Sequence, residues 1–330
     1  MRSLVRVKDQ DNFEFTAVCD LYDKRRQIAN EITGGKIYTR HQDLLADPNV
    51  DYVLIATPEH RHFDVAMDAL KAKKHIYLEK PMTRTAEEGK KLVAAVKASS
   101  VKLQVGVQGT SDKSYITARK YVEDGTLGDI VMAQIDYSRN YSDEGDFWAY
   151  QIDEDAKPGV NIDWTSWLGP APKRPYDADR FFRWRRYWDY SSGIASDLYI
   201  HRVTRLIKAM NLGFPQYGVG VGGKFHFKNS KAEIPDTFNI MLDYPNGPTV
   251  NLVSSMANGT PIQHMIRGSK ATLFFTREGF EIVPERYMEK DMKPIKYARE
   301  GREDVVLHHR NLMDAIRKGG SSPEFYYHLG

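Results

Sequence analysis

The first third of the chain alternates short apolar runs with helical patterns, and that alternation restricts the fold more than any other feature. "FEFTAVCD" (13–20), "DYVLIATP" (51–58), "HIYLEKP" (75–81) and "VKLQVGVQ" (101–108) are bounded runs rich in β-branched and aromatic residues, which reads as strands. Between them, "KRRQIANEIT", "HFDVAMDALKAK" and "TAEEGKKLVAAVKAS" space their apolar positions for helices, and Thr85 followed by acids marks a helix N-terminus. Strands that take turns with helices need crossover connections, so these runs predict a parallel sheet with helices on both faces. Ligands of such sheets bind outside the carboxyl ends of the strands. Asp20, Thr57, Lys80 and Gln108 all fall there.

The pattern changes after Gln108. A helix in "YITARKYVEDG" and a strand in "DIVMAQIDYSRNY" lead into an irregular stretch rich in Trp, Asp, Pro and Arg that runs to about residue 190. From residue 214 onward, "KFHFK", "TFNIMLDYPNGPTVNLVSSM" and "HMIRGSKATLFFTREGFEIVP" read as strands in series, with hairpin turns at "YPNGP" and "REGF". This predicts a second domain built on an open antiparallel sheet. With 330 residues the chain is long enough for two cores.

Composition removes several function classes. A net charge of +3 without a basic tail argues against a nucleic-acid partner, which wants clustered Lys and Arg. No apolar run approaches bilayer length and "MRSLVRVKDQ" has no apolar signal core, so the chain reads as soluble, with no membrane partner. Its compartment is not readable. The single cysteine, Cys19, rules out an internal disulfide framework and reads as a small buried strand residue. His60 and His62 lack a helical i, i+4 pair or a nearby third ligand, so no metal is expected.

Four groups of residues carry chemistry. Asp20 closes a strand of the dinucleotide-binding type, where an acid accepts from the ribose hydroxyls and repels a 2′-phosphate, favouring NAD over NADP. A glycine-rich phosphate turn should precede it by about 20 residues, yet residues 1–19 contain no glycine. The reading is that the first strand and glycine loop are missing from this sequence. Thr57 and Pro58 line the nicotinamide path, and His62 caps or packs the following helix.

Lys80 is the second group: Pro81 holds it extended or in a turn, which aims its amine from a strand end. Alcohol dehydrogenation needs a base for the hydroxyl proton, and an amine serves only where desolvation and a neighbouring cation weaken its hold on a proton. A surface pairing with Glu79 is the plainer alternative. Third, "SSGIASDLYIHRVTRL" (191–206) sets Asp197 and His201 four apart, on one face of a helix, where His201 binds a substrate hydroxyl and Asp197 orients a sugar. Fourth, "DRFFRWRRYWDY" (179–190) interleaves arginines with aromatics, so Arg183, Trp184 and Tyr190 suit a sugar's C–H faces and hydroxyls; packing of aromatics in a core explains the stretch as well.

Together these pieces resemble the Gfo/Idh/MocA oxidoreductases, the glucose-fructose oxidoreductase and inositol dehydrogenase family. The resemblance rests on Asp20 after "FTAVC", "ATPEHRH", "EKP" at 79–81, "VGVQGTSDKSY" at 105–115, "GTLGDI" at 125–130, "GIASDLYIH" at 193–201 and "HHRNLMDAIRKG" at 308–319. It implies an α/β fold: a Rossmann-type domain at 1–110, incomplete at its N-terminus, and an α/β domain at 111–330 whose large open antiparallel sheet makes a homo-oligomer contact. It implies Lys80, Asp197 and His201 as the catalytic group, and Glu79 and Gln108 near NAD. The substrate class is a carbohydrate or polyol. "WTSWLGPAPKRPYDADRFFRWRRYWDYSSG" looks like the sugar-active subgroup that includes NAD-dependent glycosidases. A dehydrogenase, a glycosidase working by transient C3 oxidation, and a cofactor-free sugar-binding relative all remain open. The C-terminus "YYHLG" stops where relatives carry a further helix.

Overall fold

A computed structural model describes residues 1–245, 247–301 and 304–319. The chain forms two compact units that interleave along the sequence. One comprises Met1–Gly106, Tyr150–Ser192 and residues 305–319; the other comprises Val107–Ala149 and Gly193–Asp304. The expected division at residue 110 lies close to the first crossing at Gly106, but the units return to one another's sequence where the expected domains do not.

In the first unit, β1 (Ala17–Cys19) pairs in parallel with β2 (Lys36–Tyr38), and β3 (Tyr52–Ile55), β4 (His75–Glu79) and β5 (Leu103–Gly106) form a separate parallel sheet. The parallel sheet is therefore present in two pieces. Among the described residues no ladder joins β1 to β3. In β4, Ile76, Tyr77 and Leu78 are all buried, as a strand covered on both faces requires. The helices Asp23–Thr33, His62–Lys71 and Ala86–Lys97 stand where the periodicity places them. Thr85 closes a capping box on the last of these: its hydroxyl accepts from the Glu88 amide (3.3 Å) and Glu88 accepts from the Thr85 amide (3.1 Å), a device that stabilises a helix by about 1 kcal/mol.

Strand β2 went unpredicted because it is three residues long and follows two glycines. Gly34 ends the preceding helix at φ +74°, and a Cβ on Gly35 would lie 3.0 Å from the Ala17 nitrogen and the Phe15 carbonyl oxygen. Glycine thus allows the chain to fold back against β1.

Long-range bonds explain why residues 150–192 join this unit. Tyr22 donates to Asp153 at 2.9 Å, the Asp23 amide to the Asn161 carbonyl at 2.9 Å and the Asp163 amide to the Leu21 carbonyl at 3.0 Å. The C-terminal helix Val305–Lys318 docks in the same unit, where His308 Nε2 lies 2.8 Å from the Val105 carbonyl and the Gln104 amide donates to the His308 carbonyl at 2.9 Å.

The second unit is built on eight strands: β6 (Ile130–Asp136), β7 (Tyr217–Gly223), β8 (Thr237–Asp243), β9 (Thr249–Ser255), β10 (Met265–Gly268), β11 (Ala271–Thr276), β12 (Gly279–Pro284) and β13 (Ile295–Ala298). Their order is β13-β12-β11-β10-β6-β9-β8-β7. The sheet is mixed rather than wholly antiparallel, because β6 and β9 run parallel at its centre. Side chains alternate along β9, with Val250, Leu252 and Ser254 buried. Val250 and Leu252 share a core with Leu206 and Ala209 of the helix Ile200–Met210 and Ala118 of the helix Lys113–Glu123.

One strand expectation changes here. "KFHFK" is not a strand: the Asp236 carboxylate accepts from the amides of Phe225, His226 and Phe227 and holds that segment as a loop, while "YGVGVGG" before it forms β7. The "REGF" hairpin joins β11 to β12 as expected. The "YPNGP" turn contains Asn246, which lies outside the described residues. No helix among the described residues is long and apolar enough to cross a membrane.

Candidate active site

Each strand-end residue of the first unit has a distinct environment. Asp20 directly follows β1, accepts from the Tyr22 amide at 2.9 Å, and its own carbonyl accepts from Arg26 at 2.7 Å. Burial raises its carboxyl pKa, with Arg25 opposing. Cys19, one residue earlier, has its thiol pushed up to about 11 by burial, which fits an inert strand residue.

At the end of β3 the Thr57 hydroxyl is buried with no hydrogen-bond partner among the described residues. Pro58 opens the single turn Glu59–Arg61, and His62 starts the next helix. His62 spans two carbonyls: Nδ1 lies 2.6 Å from that of Pro81 and Nε2 lies 2.8 Å from that of Thr57. Burial lowers the His62 pKa, opposed by these two carbonyl contacts, which favour the protonated ring. The ring ties the end of β3 to the turn after β4.

Lys80 occupies that turn, half-buried, between Glu79 and Pro81, and the Lys80–Pro81 peptide is cis. Burial raises the Glu79 carboxyl pKa, and its Oε2 accepts from the Lys80 amide at 3.3 Å. Gly106, opposite Glu79 in the ladder, is a residue the sequence reading passed over. A Cβ there would lie 3.1 Å from the Glu79 carboxyl atoms. Its signal was available, since a glycine ending a buried strand marks a close approach.

Two neighbouring buried groups are engaged in hydrogen bonds. His60 Nε2 lies 2.9 Å from the Trp167 carbonyl, and burial drives its pKa down to about 3. Glu59, also unpredicted, is buried and accepts from the Ser191 hydroxyl at 2.8 Å and the Ser192 amide at 3.1 Å.

Most of residues 179–190 serve packing. Asp179 accepts from Arg183 at 2.8 Å and from the Tyr187 hydroxyl. Arg183 also donates to the Tyr150 carbonyl at 2.8 Å, and Arg185 stacks on Trp184 at 4.2 Å. Tyr190 is fully buried, 5.0 Å from the His60 ring and 4.8 Å from Trp167. Tyr190 is a core ring here, and its hydroxyl has no hydrogen-bond partner among the described residues.

In the second unit, Asp197 and His201 do not share one helix. The helix Gly193–Asp197 ends at Asp197, two turn residues follow, and His201 lies in the first turn of the helix Ile200–Met210. Tyr199 fixes the break: its amide reaches back five residues to Ile194, and its hydroxyl bonds the carbonyl of Phe238 on β8. Asp197 is buried, and the His201 ring sits edge-on to Tyr137 at 5.7 Å. Gln108 opens the single turn Gln108–Ser111 at the start of this unit.

Comparison with known proteins agrees with this architecture. Residues 3–107 match the model of an oxidoreductase family with an NAD-binding Rossmann fold, and residues 112–210 match the model of that family's C-terminal α/β domain. The chain belongs to the Gfo/Idh/MocA oxidoreductase family. It is 23% identical over 316 residues to a scyllo-inositol 2-dehydrogenase (NADP(+)) of Bacillus subtilis, covering 96% of this chain and 70% of that protein. It is 36% identical over 101 residues to a levoglucosan dehydrogenase of Pseudarthrobacter phenanthrenivorans, covering 31% of this chain and 26% of that one. A solved levoglucosan dehydrogenase in complex with NADH and levoglucosan superposes with TM-score 0.72 at 19% identity over 99% of this chain and 90% of that chain, a likeness of fold.

The residues of this Gfo/Idh/MocA member fit part of a dinucleotide. The partnerless Thr57 hydroxyl and the strand-end Asp20 are polar groups of the kind a nicotinamide and a ribose engage. Residues 1–19 offer no glycine turn for the pyrophosphate.

Proposed function

We propose that the chain oxidises a secondary alcohol of a sugar, glycoside or polyol, with NAD as cofactor. NAD, when bound, supplies the hydride acceptor. Lys80 takes the hydroxyl proton, His201 binds that hydroxyl and shares in the transfer, and Asp197 orients the substrate. Asp20 would hold the adenosine ribose and Thr57, Pro58, His62, Glu79 and Gln108 the nicotinamide side, while Arg183 and Trp184 contribute to sugar contact. The observation that carries the reading is the seat of Lys80: a strand-end amine whose turn is fixed on one side by Glu79 and on the other by the His62 bridge between Pro81 and Thr57. A structural lysine needs no such support.

The named relatives act on inositols and on levoglucosan, so cyclitols and anhydrosugars are the substrates to try first. NADH build-up with such an alcohol supports the dehydrogenase. Release of phenol from an aryl glycoside without net NADH points instead to a redox glycosidase. If no substrate yields either product and NADH does not bind, the proposal fails in favour of a cofactor-free sugar-binding relative. The outward side chains Val219 and Val221 of β7 and Met241 of β8, each at least half exposed, support a homo-oligomer through this sheet; light scattering tests it.

A further inference from the structure

The second unit contains a cavity that the proposed redox chemistry does not use. It measures about 370 Å³ and is lined in part by Arg202, Arg205, Arg277, Arg299, Ser114 and Asp112. Four arginines thus stand against one carboxylate among its described lining residues. Arg202 and Arg205 lie one turn apart on the helix Ile200–Met210, a spacing at which like charges repel. The carboxylate is already engaged: Asp112 Oδ2 accepts from Arg299 at 2.6 Å and Oδ1 caps a helix through the Ser114 amide at 2.9 Å. The nearby Asp136 accepts from His264, another lining residue, at 2.6 Å.

Several donor atoms here have no hydrogen-bond partner among the described residues. Arg202 lies over the Tyr137 ring at 4.5 Å, a contact that spends no N–H, and its buried Nε has no hydrogen-bond partner among the described residues. The same is true of Arg299 Nε and of the hydroxyl of Ser114, a residue only 3% exposed. Burial, then the charge of Arg205, lowers the Arg202 pKa. Gathering buried cations in excess of carboxylates is costly in a folded protein, and planar guanidinium forks match the oxygens of phosphate and carboxylate.

We propose that this cavity binds a small molecule through an oxyanion, phosphate or carboxylate, held by Arg202 and Arg205 with Arg277 and Arg299 at its sides. Pro261, Ile262 and Phe275 supply apolar wall for the remainder of the ligand.

The test compares inorganic phosphate, citrate and sodium chloride at matched ionic strength, reading the thermal midpoint and calorimetric binding to the whole chain. Phosphate or citrate should raise the midpoint saturably above chloride, and whichever binds more tightly identifies the oxyanion. Arg202→Gln should weaken that binding by roughly ten-fold or more, as loss of a charged hydrogen bond does. Arg277→Gln, at a hairpin turn, provides a second variant should Arg202→Gln not fold, with a several-fold loss expected. These losses would place the ligand here rather than at the strand ends of the first unit. Stabilisation no greater than with chloride, or binding unchanged in the arginine variants, would overturn the proposal.

Discussion

The strand ends of the first unit and the segment 179–190 both crowd charged residues against apolar ones, but they dispose of their polar groups differently. In the segment, charges satisfy one another: Asp179 is held by Arg183 and Tyr187, Asp189 accepts from Arg180 at 3.2 Å and from Arg174, and Phe181 and Tyr190 are sealed inside. At the strand ends the Thr57 hydroxyl has no partner among the described residues, and Glu79 is a half-buried acid whose carboxylate accepts from the Lys80 amide at 3.3 Å. A composition that suits a sugar can therefore be a core. The Tyr190 hydroxyl of the segment also lacks a partner among the described residues, so the contrast lies in how the carboxylates are engaged: Asp179 and Asp189 by arginines, Glu79 by a backbone amide.

The comparison breaks if the two regions respond alike to substitution. The largest effect is expected at Lys80: Lys80→Met should reduce turnover by about 10²–10⁴-fold, the usual contribution of a positioned acid–base group, with an unchanged melting profile. Phe181→Ala should do the opposite, costing about 3–5 kcal/mol of stability because it empties a fully buried aromatic site. Urea unfolding beside steady-state kinetics separates the two.

A pH experiment sharpens the contrast. The folded protein keeps His60 neutral down to about pH 3, whereas an unfolded chain protonates it near 6.5. Between those values the unfolded state binds more protons, so the stability from neutral His60 is complete above pH 6.5 and is lost as pH falls toward 3. Lowering the pH from 7 to 5 should cost roughly 2 kcal/mol through this residue, and His60→Gln should remove that part of the slope. His309, lowered by burial to about 4, leaves a remainder.

Smaller effects follow. Asp20→Ser should shrink the preference for NAD over NADP by roughly ten-fold, since a like charge beside the 2′-phosphate is removed. Tyr190→Phe should leave KM within about two-fold, as a core ring makes no binding contact to lose.

The sequence was most legible where structure is local. The helices at 23–33, 62–71 and 86–97 and strands β3 to β5 follow from periodicity and from the Thr85 cap. It was least legible where distant segments meet. Nothing in the spacing of "DRFFRWRRYWDY" says that its rings pack beside His60, or that His308 closes on β5. The break between Asp197 and His201 was hidden because Tyr199 makes it through strand carbonyls far away in sequence. Parallel pairing of β6 with β9 escaped for the same reason: 117 residues separate Tyr137 from Ser254, whose hydroxyl donates to the Tyr137 carbonyl just beyond that pairing.

The most direct measurement is calorimetric titration of NADH into the chain and into its Thr57→Val variant, which keeps the side-chain shape and deletes the partnerless hydroxyl. Our account predicts saturable one-to-one binding that weakens by roughly ten-fold in the variant. No binding to either protein, or equal affinity for both, would contradict it.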